Sequence, residues 1–242
     1  MLRTAALVTF LCSSALAAQT VLIVADEVPA MQVLASKLKA GAGVDSRIIQ
    51  QTALPPDMAK YPAVFVYIHR TLNESAEVAF IDYAKNGGKL ILLHHSISSG
   101  KRGNKYWFPF LGISLPTGDF AAGGYKYFEG ITDEIVNLAP TSYVTTHDVH
   151  YTAKIRYKNR DLPGFQLDDT EVYINHVWTA PKEKLLGVKF TDPSGQVHEQ
   201  DTAGWHLRTE KGQVYYFMPG HSSRDFENPV YSQIIVNALT AK

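Results

Sequence analysis

From Thr20 to Leu93 the chain alternates short apolar runs with stretches of helical spacing. Thr20–Ala25 (T-V-L-I-V-A) is wholly apolar and β-rich, the pattern of a strand buried on both faces. Pro29 to Lys39 places Met31, Leu34, Ala35 and Leu38 on one side of a helix, and Gly41-Ala42-Gly43 stops it. Ser46–Gln50 reads as a second strand and Tyr61–Ile68 (Y-P-A-V-F-V-Y-I) as a third. Asn73 or Ser75 is placed to cap a helix carrying Val78, Ala79, Ile81 and Tyr83, which ends at Asn86-Gly87-Gly88. Lys89–Leu93 (K-L-I-L-L) is the fourth apolar run.

Strands alternating with helices predict an α/β fold with a mostly parallel sheet, and right-handed crossovers put helices on both faces. This half reads as flavodoxin-like. The second half is β-rich and irregular. Lys105–Leu115 is aromatic and broken by Pro109 and Gly112, and Thr117–Gly130 reads as a glycine-rich loop. Short strands are expected at Glu171–Val177, Lys184–Thr191, Gly204–Leu207 and Gln213–Met218, with a turn at Asp192–Gly195. A helix from Pro229 to Leu239 closes the chain. No repeat or linker divides it, so a single domain is expected.

Composition narrows the function. The 242 residues carry 23 basic and 23 acidic side chains, and no basic stripe suited to nucleic acid is present. Lys101 and Arg102, with Lys105, read as a solvated loop. Met1 to Ala18 has a basic start, an apolar run and a small-x-small ending at Ala15-Leu16-Ala17, the pattern of a secretory signal peptide. The expected organisation is therefore a signal peptide over 1–18 and one domain over 19–242, in a secreted or periplasmic protein. The one cysteine, Cys12, lies within that leader, so a processed chain has no disulfide, thiolate ligand or cysteine nucleophile. No later run is long enough to span a membrane.

In open α/β sheets the ligand site lies beyond the carboxyl ends of the strands. Asp26 follows the first apolar run, His69 the third, His94 and His95 the fourth, and His221 the late Q-V-Y-Y-F-M run. If these strands are neighbours, the histidines and the carboxylate share one crevice. His94 and His95 are adjacent, so continued strand geometry would turn them to opposite faces and leave one in the pocket. Histidine there suits general acid/base chemistry, metal ligation or hydrogen bonds to sugar hydroxyls. No H-E-x-x-H is present. His147-Asp148-Val149-His150 is an H-x-x-H pair, but in a threonine-rich, β-leaning stretch. Glu171 is either a pocket carboxylate or a solvated strand residue, and Trp107, Trp178 and Trp205 either line a sugar site or pack in the core. G-x-S-x-G, the P-loop and G-x-G-x-x-G are all missing.

Several segments together resemble the ThuA-like family, named for trehalose utilisation. Asn86-Gly87-Gly88-Lys89-Leu90-Ile91-Leu92-Leu93-His94 is similar to its glycine-rich turn, apolar strand and histidine. Thr170-Glu171-Val172-Tyr173 resembles its D-E-x-Y segment. Trp205, the stretch Gly212 to Gly220-His221, and Asn228-Pro229 leading into the last helix through Asn237 also fit. Departures are Thr170 for aspartate, Lys89 for a third glycine, and no clear match to a central histidine, a place His147 or His150 could take. The resemblance implies a fold like the class I glutamine amidotransferases, with His94 where those enzymes carry the nucleophilic cysteine. That exchange argues against glutaminase chemistry. It further implies carbohydrate metabolism, with 3-keto sugars as one class. His94, His221 and Glu171 are then the candidate catalytic residues. Asp26, His69, Trp205 and Tyr173 are the candidate substrate contacts. The expected partner is a small carbohydrate, processed by acid/base chemistry with or without a metal. The alternative is a carbohydrate-binding or interaction module without catalysis. Metal, cofactor and oligomeric state stay open.

Overall fold

The structure, a computed structural model, describes residues 19–242. The expected signal peptide and Cys12 lie outside the described residues. β1 (Thr20–Ala25) runs through α1 (Val28–Ala42) to β2 (Asp45–Ile49), and β3 (Val64–Tyr67) through α2 (Glu74–Lys85) to β4 (Lys89–Leu93). A short helix α3 (Trp107–Leu111) and strand β5 (Ile113–Ser114) lead to β6 (Lys126–Asn137), α4 (Tyr143–Thr146), β7 (Ala153–Tyr157) and β8 (Arg160–Ile174). Then come β9 (Val177–Trp178), β10 (Glu183–Thr191), β11 (Val197–Arg208), β12 (Gln213–Phe217), α5 (Ser223–Glu227) and α6 (Pro229–Thr240).

Ten strands form one sheet in the order β2-β1-β3-β4-β12-β11-β10-β6-β8-β7, and β5 pairs with β9. The first five are parallel, and their order is the flavodoxin one with β12 as the fifth strand. The β1-to-β2 and β3-to-β4 crossovers run in opposite directions along the sheet, so right-handed connections place α1 and α2 on opposite faces. α1 packs with α5 and α6, and α2 with α3 and β4. The central strands are dry: Val21–Val24, Val64–Tyr67 and Leu90–Leu93 have no solvent exposure, which is why they read as unbroken apolar runs. No helix among the described residues is long and apolar enough to cross a membrane.

From β12 to β7 the pairing is antiparallel. The stretch expected to be loop up to Gly130 contains the start of β6, and β8 begins eleven residues before the expected Glu171 (Arg160 against Glu171). The two strands pair from Lys126↔Ile174 to Val136↔Gly164, with register shifts on either side of Ile131. Such irregularities bend and twist a strand. They bring β8, four places beyond β12 in the sheet order, back over the ends of the parallel strands.

Trp205 is not a substrate platform. It has no exposure and stacks on Tyr216 with ring centroids 5.3 Å apart, so the expectation of a sugar contact is corrected: β11 turns it into the core. His176, between β8 and β9, is also buried, and neither ring nitrogen has a well-aligned partner. Burial pushes its pKa down to about 4. The folded chain thus takes up this proton only near pH 4, whereas the unfolded chain takes it up near its ordinary value of 6.5. Stability is therefore lost as pH falls between those values, by on the order of 3 kcal/mol at 1.36 kcal/mol per unit. A His176→Phe chain is expected to show a flatter melting temperature between pH 6.5 and 4. Parallel curves for both chains would refute the assignment.

Candidate active site

β4 ends at Leu93, and the chain turns at once into a tight helical turn over His94–Ile97. His94 takes φ +40°, a left-handed conformation that is costly for a side chain with a Cβ. The strand alternation therefore stops at Leu93. His94 and His95 do not point to opposite faces. Both are buried, with ring centroids 4.3 Å apart, and both join one cluster.

His94 Nδ1 donates to the Met218 carbonyl at the end of β12 at 2.5 Å. That fixes the ring, and Nε2 lies 2.8 Å from Glu171 Oε2 on β8. The Tyr173 hydroxyl, two residues along β8 and so on the same face, donates to Glu171 Oε2 at 2.8 Å. The same hydroxyl is 2.8 Å from His95 Nδ1 and 3.2 Å from His94 Nε2. His221, after β12, brings Nδ1 to 3.3 Å from Glu171 Oε2 without hydrogen-bond alignment. Its side chain is 35% exposed, against 6% for Glu171, so His221 is the member of this group that meets solvent.

The loop bearing His221 is built for the purpose. Gly220 has φ +123°, and a Cβ there would lie 2.7 Å from the Phe226 ring. Only glycine fits. Asp225 Oδ2 accepts from the N–H groups of Gly220 at 3.2 Å and His221 at 2.7 Å, and from Thr170 Oγ1 at 2.8 Å. Thr170 precedes Glu171, so one carboxylate ties the His221 loop to the strand that carries Glu171. Tyr67, at the end of β3, donates to the Gly220 carbonyl at 2.8 Å.

The electrostatics follow. Burial alone would raise the Glu171 pKa, but the close contacts with His221, His94 and the Tyr173 hydroxyl outweigh it and hold the carboxyl well below its usual range. The bond to Glu171 raises His221. Burial, then the neighbouring His94 and His69, push His95 down to about 2. Asp133, fully buried on β6, is raised well above the usual carboxyl range by burial and then by Asp225 and Glu171.

The remaining expected residues fall around this centre. Asp26 accepts from the backbone N–H of His69 at 2.8 Å and of Arg70 at 3.1 Å, so it braces the loop after β3. His69 stacks on His95 at 4.3 Å and opens to solvent. His147 stacks on Tyr143, and its imidazole pairs with Asp148 at 3.4 Å, outside the cluster. Lys101, expected in a solvated loop, has no exposure: its Nζ donates to the carbonyls of Ile68 at 2.6 Å, His69 at 2.9 Å and His95 at 2.9 Å. It ties the chain after β3 to the chain after β4. Burial lowers its pKa to about 7, while three acceptors favour the ammonium. Lys101 and Asp225 were not singled out from sequence, and a polar loop residue gives no local sign of being buried.

A cleft of about 690 Å³ opens beside the cluster. Glu171, Tyr173, Tyr125, Tyr127, Glu129 and His69 are among its walls. The Glu171 carboxylate, the His69 imidazole at the edge, and tyrosine faces with polar groups between them suit a polyhydroxylated ligand. His94, His95, Glu171 and His221 each offer a donor atom within 4.8 Å of the others, a spacing that a metal ion could use.

Residues 19–240 match the ThuA family, described as trehalose utilisation. No curated protein sequence matches the chain. Among solved structures the fold is similar to a ThuA-like protein from Bacteroides uniformis ATCC 8492, with TM-score 0.63 and 17% identity over 95% of this chain and 94% of that one. It is also similar to a ThuA-like protein from Parabacteroides merdae ATCC 43184, with TM-score 0.64 and 11% identity over 92% and 89% of the two chains. A cold-adapted β-galactosidase from Rahnella sp. R3 matches with TM-score 0.58 and 10% identity, over 91% of this chain but 30% of that enzyme. At these identities the likeness is one of fold.

Proposed function

The chain belongs to the ThuA, trehalose-utilisation, family, and from that premise we propose that it is an exported enzyme acting on a glycoside or keto-sugar by proton transfer. The observation that carries this reading is the partly exposed His221, set against the buried carboxylate of Glu171, which also lines the neighbouring cleft. With Nδ1 turned to Glu171, the ring offers its Nε2 to a bound sugar. A carboxylate behind an imidazole selects that tautomer and stabilises the ring once it takes a proton. The 3.3 Å separation is long for a working pair, but catalytic hydrogen bonds often tighten only on substrate binding.

For a 3-keto sugar, His221 would take the proton from the carbon next to the ketone, leaving an enolate. His94 and Tyr173 hold Glu171 in place. Asp26 supports the reading indirectly, by bracing the His69 loop at the cleft edge. The signal-like segment supports export.

The test is kinetic. Wild type and His221→Gln are assayed against a panel of 3-keto disaccharides, 3-keto-trehalose included, with product followed by chromatography. Loss of a general base predicts a fall in kcat/KM of about a hundredfold or more, with the melting temperature little changed. Saturable binding without turnover by wild type, or full activity in His221→Gln, would overturn the reading.

A further inference from the structure

We infer that His94, His95 and Glu171 hold a first-row divalent cation beside the cleft that Glu171 lines, with His221 left outside the set as the proton carrier. The assignment deepens the reading above and rests on it for what the ion does, though not for its binding.

His94 spends its Nδ1–H on the Met218 carbonyl, so in the neutral ring Nε2 carries a lone pair. That lone pair faces a carboxylate oxygen 2.8 Å away, which is repulsive unless something positive lies between them. The Tyr173 hydroxyl has one proton and three neighbours that can accept it: Glu171 Oε2 at 2.8 Å, His95 Nδ1 at 2.8 Å and His94 Nε2 at 3.2 Å. A second proton on the His94 ring, or a cation seated between these groups, would each relieve the contacts. One divalent ion satisfies the ring nitrogens and the carboxylate together.

The spacing fits. A tetrahedral ion with bonds of about 2.0–2.1 Å keeps its ligand atoms about 3.3 Å apart. His94 Nε2 and His95 Nδ1 lie 2.8 and 3.9 Å from Glu171 Oε2, on either side of that value; His221 Nδ1, at 3.3 Å, is also in reach, and it is set apart because its side chain is 35% exposed whereas the other three are buried. Two imidazoles and one carboxylate, with room left on the side of the cleft, make the open set that zinc, manganese, iron or cobalt accepts. The supports are those of a metal centre as well. A backbone carbonyl takes the far N–H of His94, and a phenol holds the carboxylate. The left-handed backbone at His94 turns that ring inward beside its neighbour, where a continuing strand would have separated them. When bound, such an ion supplies a Lewis acid for the ketone oxygen and for the enolate that follows.

The experiment uses the untagged full chain, purified without chelator. Bound metal is measured by elemental analysis. The chain is then stripped and titrated with zinc, manganese(II) and cobalt(II) by calorimetry, with the cobalt absorption spectrum recorded. One ion per folded chain is expected, with intense visible cobalt bands from a site of low coordination number. His95→Gln and Glu171→Gln are expected to weaken binding by at least about a hundredfold, and His221→Gln to leave it within about threefold. A folded wild type that binds none of the three ions overturns the inference. So does a His95→Gln chain that binds like wild type, or a His221→Gln chain that loses the ion. Should a variant fail to fold, the wild-type cobalt spectrum decides, because weak octahedral bands would contradict the set. A loaded chain without sugar turnover would sink the functional reading and leave the site standing. Turnover by the stripped chain at the loaded rate would overturn the Lewis-acid role of the ion and leave the functional reading standing.

Discussion

A Glu171→Gln chain is expected to fold and to lose at least about a thousandfold in kcat/KM on any sugar that wild type turns over. Glutamine keeps the shape and the Tyr173 contact but removes the charge. That charge is what His94, His95 and His221 share: their ring nitrogens lie 2.8, 3.9 and 3.3 Å from the same oxygen. Without it His221 loses the partner that orients and stabilises its imidazolium, an effect worth about 10²–10⁴ for a positioned base. Steady-state kinetics with melting curves give the answer. Activity within about tenfold of wild type would place the chemistry elsewhere.

The second large effect is structural. Asp225→Asn should lower stability by about 2–4 kcal/mol and displace His221. The Asp225 residue is 1% exposed and its carboxylate accepts from three backbone N–H groups, those of Gly220, His221 and Ser222, and from Thr170 Oγ1. Hydrogen bonds to a charged group contribute about 1.5–3 kcal/mol each, and an amide returns only part of that. Thr170→Val removes one arm of the contact and should cost about 1 kcal/mol. Denaturant melts of both chains measure this. An Asp225→Asn chain as stable as wild type would mean that the His221 loop is held by its other contacts, chiefly Tyr67 and Tyr231.

The parallel half was legible because its physics is local. A strand buried on both faces must be apolar throughout, and β1, β3 and β4 are. The third strand starts at Val64 rather than Tyr61 because Pro62 has no N–H for the ladder. β6 and β8 were harder to read. Lys126–Asn137 (K-Y-F-E-G-I-T-D-E-I-V-N) alternates imperfectly because the register shifts around Ile131, and β8 carries Pro163 and Gly164. Both features mark a loop in a sequence and a bent strand in this fold.

The site divides in the same way. His69, His94 and His221 stand at strand ends, and strand ends are visible in a pattern of apolar runs. That His94 and His95 converge depends on one positive φ, which no periodicity encodes. The sequence leaves Trp205 open between a sugar contact and the core and places Lys101 in solvent, whereas both are fully buried, because burial at these positions is decided by distant chain. Lys101 is buried by carbonyls more than thirty residues before it, at Ile68 (33 residues) and His69 (32 residues).

The central claim is proton transfer next to a sugar ketone at the Glu171–His221 pair. The most direct test is isotope exchange: a 3-keto disaccharide is incubated with the protein in deuterated buffer and read by mass spectrometry and proton NMR. The account predicts that wild type places deuterium on a carbon adjacent to the ketone faster than buffer does, and that Glu171→Gln and His221→Gln match buffer. Exchange at the buffer rate with wild type, or equal exchange in all three chains, would contradict it.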